Sequence, residues 1–260
     1  MISRHIESSA NQRINATARL KQRSHRDETG LFLVEGTREV ERAVAAGATI
    51  AEVYLCPDYA TSETQLLGEA IASSGVPLTT TSTRAFDKLS NRRHPDGIAA
   101  IAATWRLSPD DLSPELTLVA ESIEKPGNLG AMLRTVDAAG AGLLLADPNV
   151  DPFNPNVVRA SQGAVFSAPF AVANAGEARA WALNRGSVFV ATPDAVTEIW
   201  HADLTGVTAL VIGSEHAGVS KVWNETGTAV RIPMTGEADS LNASVTAAVL
   251  LFEAVRQRRT

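Results

Sequence analysis

The chain has 260 residues and a formal net charge of −6, with 45% hydrophobic and 20% charged residues, a globular composition that excludes wholesale disorder. No apolar run reaches the roughly 18 residues needed to cross a bilayer, and the opening MISRHIESSANQR lacks the apolar core of a signal peptide. The single cysteine, Cys56, excludes an internal disulfide framework and a zinc site built on cysteines; the expectation is a cytoplasmic protein with no membrane partner and no metal.

Charge is unevenly spread. Between Met1 and Arg26 stand Arg4, Arg13, Arg19, Lys21, Arg23 and Arg26 against one acid, Glu7, a net of +5 that leaves −11 on the remainder. A basic arm on an acidic body is compatible with RNA binding, and equally with a solvated amphipathic helix. After it, LFLVEG (31–36) reads as a short buried strand and TREVERAVAAG as a helix ending at Gly47. IAEVYLC is a strand, 63–73 a helix, VPLTT a further extended segment, 83–89 a short helix and GIAAIAAT (97–104) a strand. This alternation predicts a small α/β domain over residues 1–104. The polar, proline-containing WRLSPDDLSPE (105–115) reads as a linker.

A second alternating series fills 116–260. It opens with strand LTLVAES (116–122), a helix from about Asn128 to Ala139 and strand GLLLA. A Pro/Asn-rich loop (147–156), a short helix and strand FAVA follow. Then come a helix over 176–184, strands SVFVAT and TALVIG, a short helix, strand AVRIPM and a long terminal helix. The last helix places Leu241, Val245, Ala248, Val249, Phe252 and Val255 on one stripe, ending in RQRR where cations suit the helix dipole.

Ligands of parallel α/β sheets sit beyond the carboxyl ends of the strands, and three such loops are unusual. In ESIEKPGNLGAMLR (121–134), Pro126-Gly127 turns the chain, Asn128 is a candidate helix cap, and Gly127, Gly130 and Arg134 share a helix face. In LVIGSEHAGVS (210–220), Gly213-Ser214-Glu215 follows a strand and Gly218 keeps the turn open. In RIPMTGEADSLNAS (231–244), a proline ends a strand, and Leu241 is oddly apolar between the candidate caps Ser240 and Asn242.

NLGAMLR, then GSEHAG, then IPM with SLNAS, in this order, closely resemble the three motifs of the SpoU (TrmH-like) methyltransferases of the SPOUT superfamily. More loosely, RSHRDETGLFLVEGTREVERAVAAG and HPDGIAAIA resemble the substrate-binding domain often fused to them, which has a ribosomal-protein-like RNA-binding fold. The resemblance implies a C-terminal α/β domain with a parallel sheet and a trefoil knot, a homodimer with sites completed across its interface, and S-adenosylmethionine as cofactor. It implies donor-binding roles for Gly213, Ser214, Glu215, Ile232, Pro233, Met234, Ser240, Leu241 and Ala243. The implied reaction is methyl transfer to a ribose 2′-hydroxyl of structured RNA, ribosomal RNA preferred and transfer RNA the alternative. Arg134 would act in it, with Asn128, Glu215, Ser240 and Asn242 organising the site. An arginine stays protonated and cannot accept the proton, so Arg134 reads as an orienting and electrostatic group. Arg159, in a stretch matching an RNA-contacting segment, joins Arg23 and Arg26 as an expected RNA contact. Lys125 departs from the family, many members of which carry an acid there. A non-catalytic RNA-binding assembly factor on the same fold would be marked by loss of Arg134, Asn128 or Asn242; all three are present. A dinucleotide-binding enzyme is excluded because ESIEKPGNLG lacks the G-x-G spacing.

Overall fold

The computed structural model describes residues 2–105, 107–223 and 226–259, and for Ile2 and Ser3 the backbone alone. Met1 of the basic arm, Arg106 of the expected linker, and Asn224, Glu225 and Thr260 of the C-terminal domain lie outside the described residues. In chain order the elements are β1 (Ile2–Ile6), α1 (Gln12–Arg19), α2 (Arg23–Thr29), β2 (Leu31–Glu35), α3 (Thr37–Ala45), β3 (Ile50–Leu55), α4 (Ser62–Ser73), β4 (Leu78–Thr81), α5 (Thr83–Leu89) and β5 (Ile98–Ala103). They continue with β6 (Leu116–Glu121), α6 (Pro126–Ala139), β7 (Gly142–Ala146), α7 (Pro155–Ala160), β8 (Phe170–Ala173) and α8 (Ala175–Arg185). The last are β9 (Ser187–Ala191), β10 (Thr197–Glu198), β11 (Thr208–Ile212), β12 (Thr228–Arg231) and α9 (Ala243–Arg258). The chain forms two compact units, one of Met1–Trp105 with Asp151–Ser167 and the other of Arg106–Val150 with Ala168–Thr260.

The first unit carries a sheet in the order β1-β4-β3-β5-β2, parallel where β4 meets β1 and β3 and antiparallel where β5 meets β3 and β2. Its core includes Ile6, Ile14, Leu33, Tyr54, Phe86 and Leu89. The basic arm is part of this fold. Residues 2–6 pair with β4 as an edge strand, and two short helices follow. Three of its six cations, Arg13, Lys21 and Arg26, are committed inside the unit. Arg13 gives both carboxylate oxygens of buried Glu52 a hydrogen bond at 2.8 Å, and Glu52 also accepts from Tyr54 and Thr79. A buried carboxylate is tolerable only with such a full set of donors. Lys21 donates to the carbonyls of Lys88 and Ser90 at the end of α5.

The segment 151–167, expected to belong with the C-terminal series, packs in this unit. Phe153 lies 4.8 Å from Phe32 between ring centroids, and Trp105 adds a T-shaped contact to Phe153 at 4.8 Å. Arg38 of α3 donates to Gln162 at 2.9 Å. Aromatic side chains bury large apolar areas, so such a cluster anchors a short segment.

The second unit is a parallel sheet in the order β10-β12-β9-β11-β6-β7-β8. β6, β7 and β11 are buried along their whole length, which is why they read as continuous apolar runs rather than alternating ones. Val119, Leu144, Val190 and Val211 pack with Trp181 and Trp223, and Leu112, within the expected linker, is fully buried among them. From β6 the chain first builds outward through β7 and β8, then returns to place β9 and β11 on the other side. The order therefore reverses between β6 and β11, and the crevice at their carboxyl ends is the natural ligand position.

One expectation is corrected here. The strand expected over AVRIPM stops at Arg231, so Pro233 and Met234 lie in the loop beyond it. The apolar stripe read from the sequence of α9 is not its core face. Ala247, Leu250, Leu251 and Ala254 are buried, whereas Val245 and Phe252 are 47% and 48% exposed. The inward face combines Ala247 and Ala254 with Leu250 and Leu251, and α9 packs on α6. The C-terminal cations also do more than face a dipole: Arg256 makes two hydrogen bonds to Glu253, and Arg258 donates to the Leu204 carbonyl.

Candidate functional site

The β6–β11 crevice is where the motifs meet. Asn128 lies in the first turn of α6, directly after β6, and its amide donates to Glu215, directly after β11. Asn242 donates from Nδ2 to Asn128 Oδ1 at 3.1 Å, and its own Oδ1 accepts from Ser244 N at 2.9 Å, capping α9. Lys125 Nζ stands 3.6 Å from the other Glu215 oxygen. One polar chain thus ties together three loops far apart in sequence.

Asn128 was expected to cap α6, and it does not. The helix starts two residues earlier with Pro126 at its first position and Lys125 at the cap position, without a side-chain cap bond; proline suits that position because its missing N–H is not needed there. Asn128 is left with a buried side chain and spends it on Glu215 and Asn242.

Beside this chain lies a cavity of about 460 Å³. Of the residues expected to hold a donor, Gly213, Ser214, Glu215, Ile232, Met234, Ser240, Leu241 and Ala243 line it; Pro233 does not. The loop 213–218 is closed on itself by reciprocal hydrogen bonds between Ser214 and Gly218, both 3.1 Å. A Cβ at Gly213 would lie 2.0 Å from the Gly218 carbonyl group, so only glycine fits. Gly218 takes a left-handed φ of 65° to close the turn. Leu241, apolar in a cap region, is explained by its place in the cavity wall. At the base of the same loop, buried Glu121 accepts from Ser220 N and Oγ, both at 2.7 Å.

The structure does not bring the expected arginines into this cavity. Arg134 is exposed on α6, does not line the cavity, and has no hydrogen-bond or ion-pair partner among the described residues. Arg159 is exposed in the other unit, 3.4 Å from Asn156 Oδ1. Arg23 is exposed and 3.6 Å from Asp27. Arg26 is 2% exposed and bonded to Asp151 at 2.6 Å and to the Leu20 carbonyl. Its guanidinium is a structural cross-link, which corrects the expectation that it contacts RNA.

Sequence reasoning missed Thr192, Pro193 and Asp194, which follow β9 and line the cavity, together with His216, Arg231 and Thr246. The 192–194 loop carries no motif; only the position of β9 between β12 and β11 could have flagged it.

Comparison with known proteins decides the family. The SpoU rRNA methylase family model matches residues 115–252, and an MRM3-like substrate binding domain matches 11–100. The chain belongs to the SpoU rRNA methylase family. It is 29% identical over 261 residues to the 23S rRNA (guanosine(2553)-2′-O)-methyltransferase RlmP of Bacillus subtilis, covering 95% of this chain and 97% of the relative. A crystal structure of an RNA 2′-O ribose methyltransferase superposes with a TM-score of 0.86 at 41% identity, over 98% of this chain and 100% of that one. The SpoU methyltransferase AviRb of Streptomyces viridochromogenes, in complex with AdoMet, superposes with a TM-score of 0.87 at 28% identity, over 96% and 99% of the two chains. This SpoU chain shares its α/β architecture with both structures across both units.

Proposed function

We propose that the chain transfers a methyl group from S-adenosylmethionine to a ribose 2′-hydroxyl of ribosomal RNA in the cytoplasm. The observation that carries this reading is the cavity into which the 213–219 and 230–243 loops converge, joined through Glu215 and Asn242 to Asn128. The cavity suits the donor. Ile232, Met234 and Leu241 offer apolar walls for a purine, the open backbone of the 213–218 turn offers polar edges, and the volume falls within the roughly 300–1,000 Å³ typical of cofactor sites. When bound, the donor supplies an electrophilic methyl group on a sulfonium.

The protein's own part is positioning and charge stabilisation. A ribose hydroxyl is a weak acid, so the site must orient it and favour developing negative charge on its oxygen. Asn128 is held rigid from two sides for contact with the incoming ribose. Arg134 is a guanidinium without a partner among the described residues and does not line the cavity of its own chain, and we assign it to the site of a second copy. The exposed apolar stripe of α9 around Val245 and Phe252 supports a homodimer through that face, since exposed apolar patches on helices mark interaction surfaces. Arg159 and Arg23, both exposed, are proposed RNA contacts. The last strand, β12, inserts between β9 and β10, and threading of the segment after β11 into the implied knot is part of the same reading.

The test is methyl transfer in vitro. Purified protein, ribosomal RNA and methyl-labelled donor should yield label in alkali-resistant dinucleotides, because a 2′-O-methyl blocks hydrolysis of the adjacent phosphodiester. Label in ordinary mononucleotides, or no label, would contradict the proposal.

A further inference from the structure

Among the described residues, two carboxylates line the cavity, Glu215 and Asp194. Glu215 is engaged with Asn128 and Lys125. Asp194 has no hydrogen-bond or ion-pair partner among the described residues and is exposed toward solvent. The backbone beneath it is fixed. Thr192 N donates to the Val230 carbonyl at 2.9 Å, extending the β9–β12 ladder, and Ala195 N closes a turn on the Thr192 carbonyl. Asp194 therefore stands on a held turn, with no internal purpose for its charge.

Its place in the sheet says which part of a ligand it meets. The order β12-β9-β11-β6 puts the reaction centre, Asn128 and Glu215, at the β6–β11 end. Val230 and Ile232, at and beyond the end of β12, form an apolar wall at the other end. β9 and its 192–194 turn lie between. In an S-adenosyl donor the ribose likewise lies between the base and the sulfonium. A base on the apolar wall and a sulfonium at the reaction centre leave the sugar at Asp194. An ionised carboxylate has two acceptor oxygens and no donor, which matches the two adjacent hydroxyls of a ribose.

We infer that Asp194 is the cofactor-specificity residue of this site, its carboxylate accepting hydrogen bonds from the 2′- and 3′-hydroxyls of the donor's ribose. The assignment rests on the donor reading above.

Calorimetric titration of the full-length protein tests it with two ligands and a control. 5′-Methylthioadenosine keeps the base and the ribose diol but lacks the amino-acid end, and its 2′,3′-dideoxy analogue lacks the diol as well. Asp194→Ala should weaken 5′-methylthioadenosine and S-adenosylmethionine alike by about tenfold, the range expected for hydrogen bonds to a charged group. The dideoxy analogue should bind wild type and variant equally, and Asp194→Asn, which keeps one acceptor, should fall between. Weakening of S-adenosylmethionine with 5′-methylthioadenosine unaffected would place the carboxylate on the ammonium end and overturn the inference. An equal loss for the dideoxy analogue would also overturn it. A wild type that binds neither S-adenosylmethionine nor 5′-methylthioadenosine would overturn the donor reading itself, and the inference with it.

Discussion

Asn242 reaches 3.1 Å from its amide nitrogen to the side-chain oxygen of Asn128, joining the first turns of α6 and α9 across 114 residues of sequence. Each asparagine therefore has two duties. Asn128 also binds Glu215, and Asn242 also caps α9 through Ser244. The duties of Asn242 are separable by substitution. Asn242→Asp keeps a good cap but replaces the amide donor with a carboxylate facing the Asn128 oxygen. It should keep the cap's share of stability and lose only that of the Asn128 contact, while turnover falls by about tenfold or more because Asn128 is no longer held in place. Asn242→Ala should lose about 1 kcal/mol of stability as well. Equal turnover in wild type and Asn242→Asp would show that the contact has no part in the reaction.

The closed loop at Gly213 makes a different prediction. A side chain there would collide with the Gly218 carbonyl group, so Gly213→Val must open the turn that lines the cavity. Donor binding measured by calorimetry should be lost, while far-ultraviolet circular dichroism stays unchanged because the turn lies outside the strands. Retained binding would mean the loop does not form the donor site.

The assignment of Arg134 to a second copy is testable by mixing. Arg134→Ala retains a donor cavity without the arginine, and Gly213→Val retains the arginine without a cavity. Each alone should be inactive. Mixed and allowed to exchange protomers, they should recover methyl transfer, because one of the two shared sites is then complete. If Arg134 works within its own chain, no mixture recovers.

A pH effect follows from the tail of α9. Hydrogen bonds from Arg256, and secondarily from Gln257, hold the Glu253 carboxyl below the usual carboxylate range. A depressed folded-state value means the stabilisation is complete above the unfolded value of about 4.3 and is lost as pH falls through the folded one. Glu253→Gln should therefore melt at a lower temperature than wild type at pH 7, and the difference should close as pH drops below about 4. A difference that persists undiminished in acid would assign the effect to packing.

Much of this architecture was legible in the sequence, for identifiable reasons. β6, β7 and β11 are buried on both faces, so their apolar runs stand out. The turn glycines Gly213 and Gly218 and the apolar Leu241 in a polar stretch marked the site because each answers a steric or contact demand of the cavity. The misses have equally physical causes. Residues 2–6 form an edge strand beside β4, and their polar, charged composition hides a period of two. Periodicity picked out the apolar stripe of α9 but could not show that it faces outward, because it finds an apolar face without saying what covers it. Arg26 is basic like its neighbours, and nothing local distinguishes it; its partner Asp151 lies 125 residues away. Asp194 carries no pattern and is set in the cavity wall by strand order alone.

The central claim is tested most directly in the RNA of a cell. Ribosomal RNA from cells carrying this chain, compared with RNA from cells carrying Arg134→Ala or lacking the chain, can be mapped for 2′-O-methyl riboses at nucleotide resolution. The account predicts one ribose methylated with the wild-type chain and unmethylated in the other two. Identical ribose-methylation maps in all three, or a difference confined to methylated bases, would contradict it.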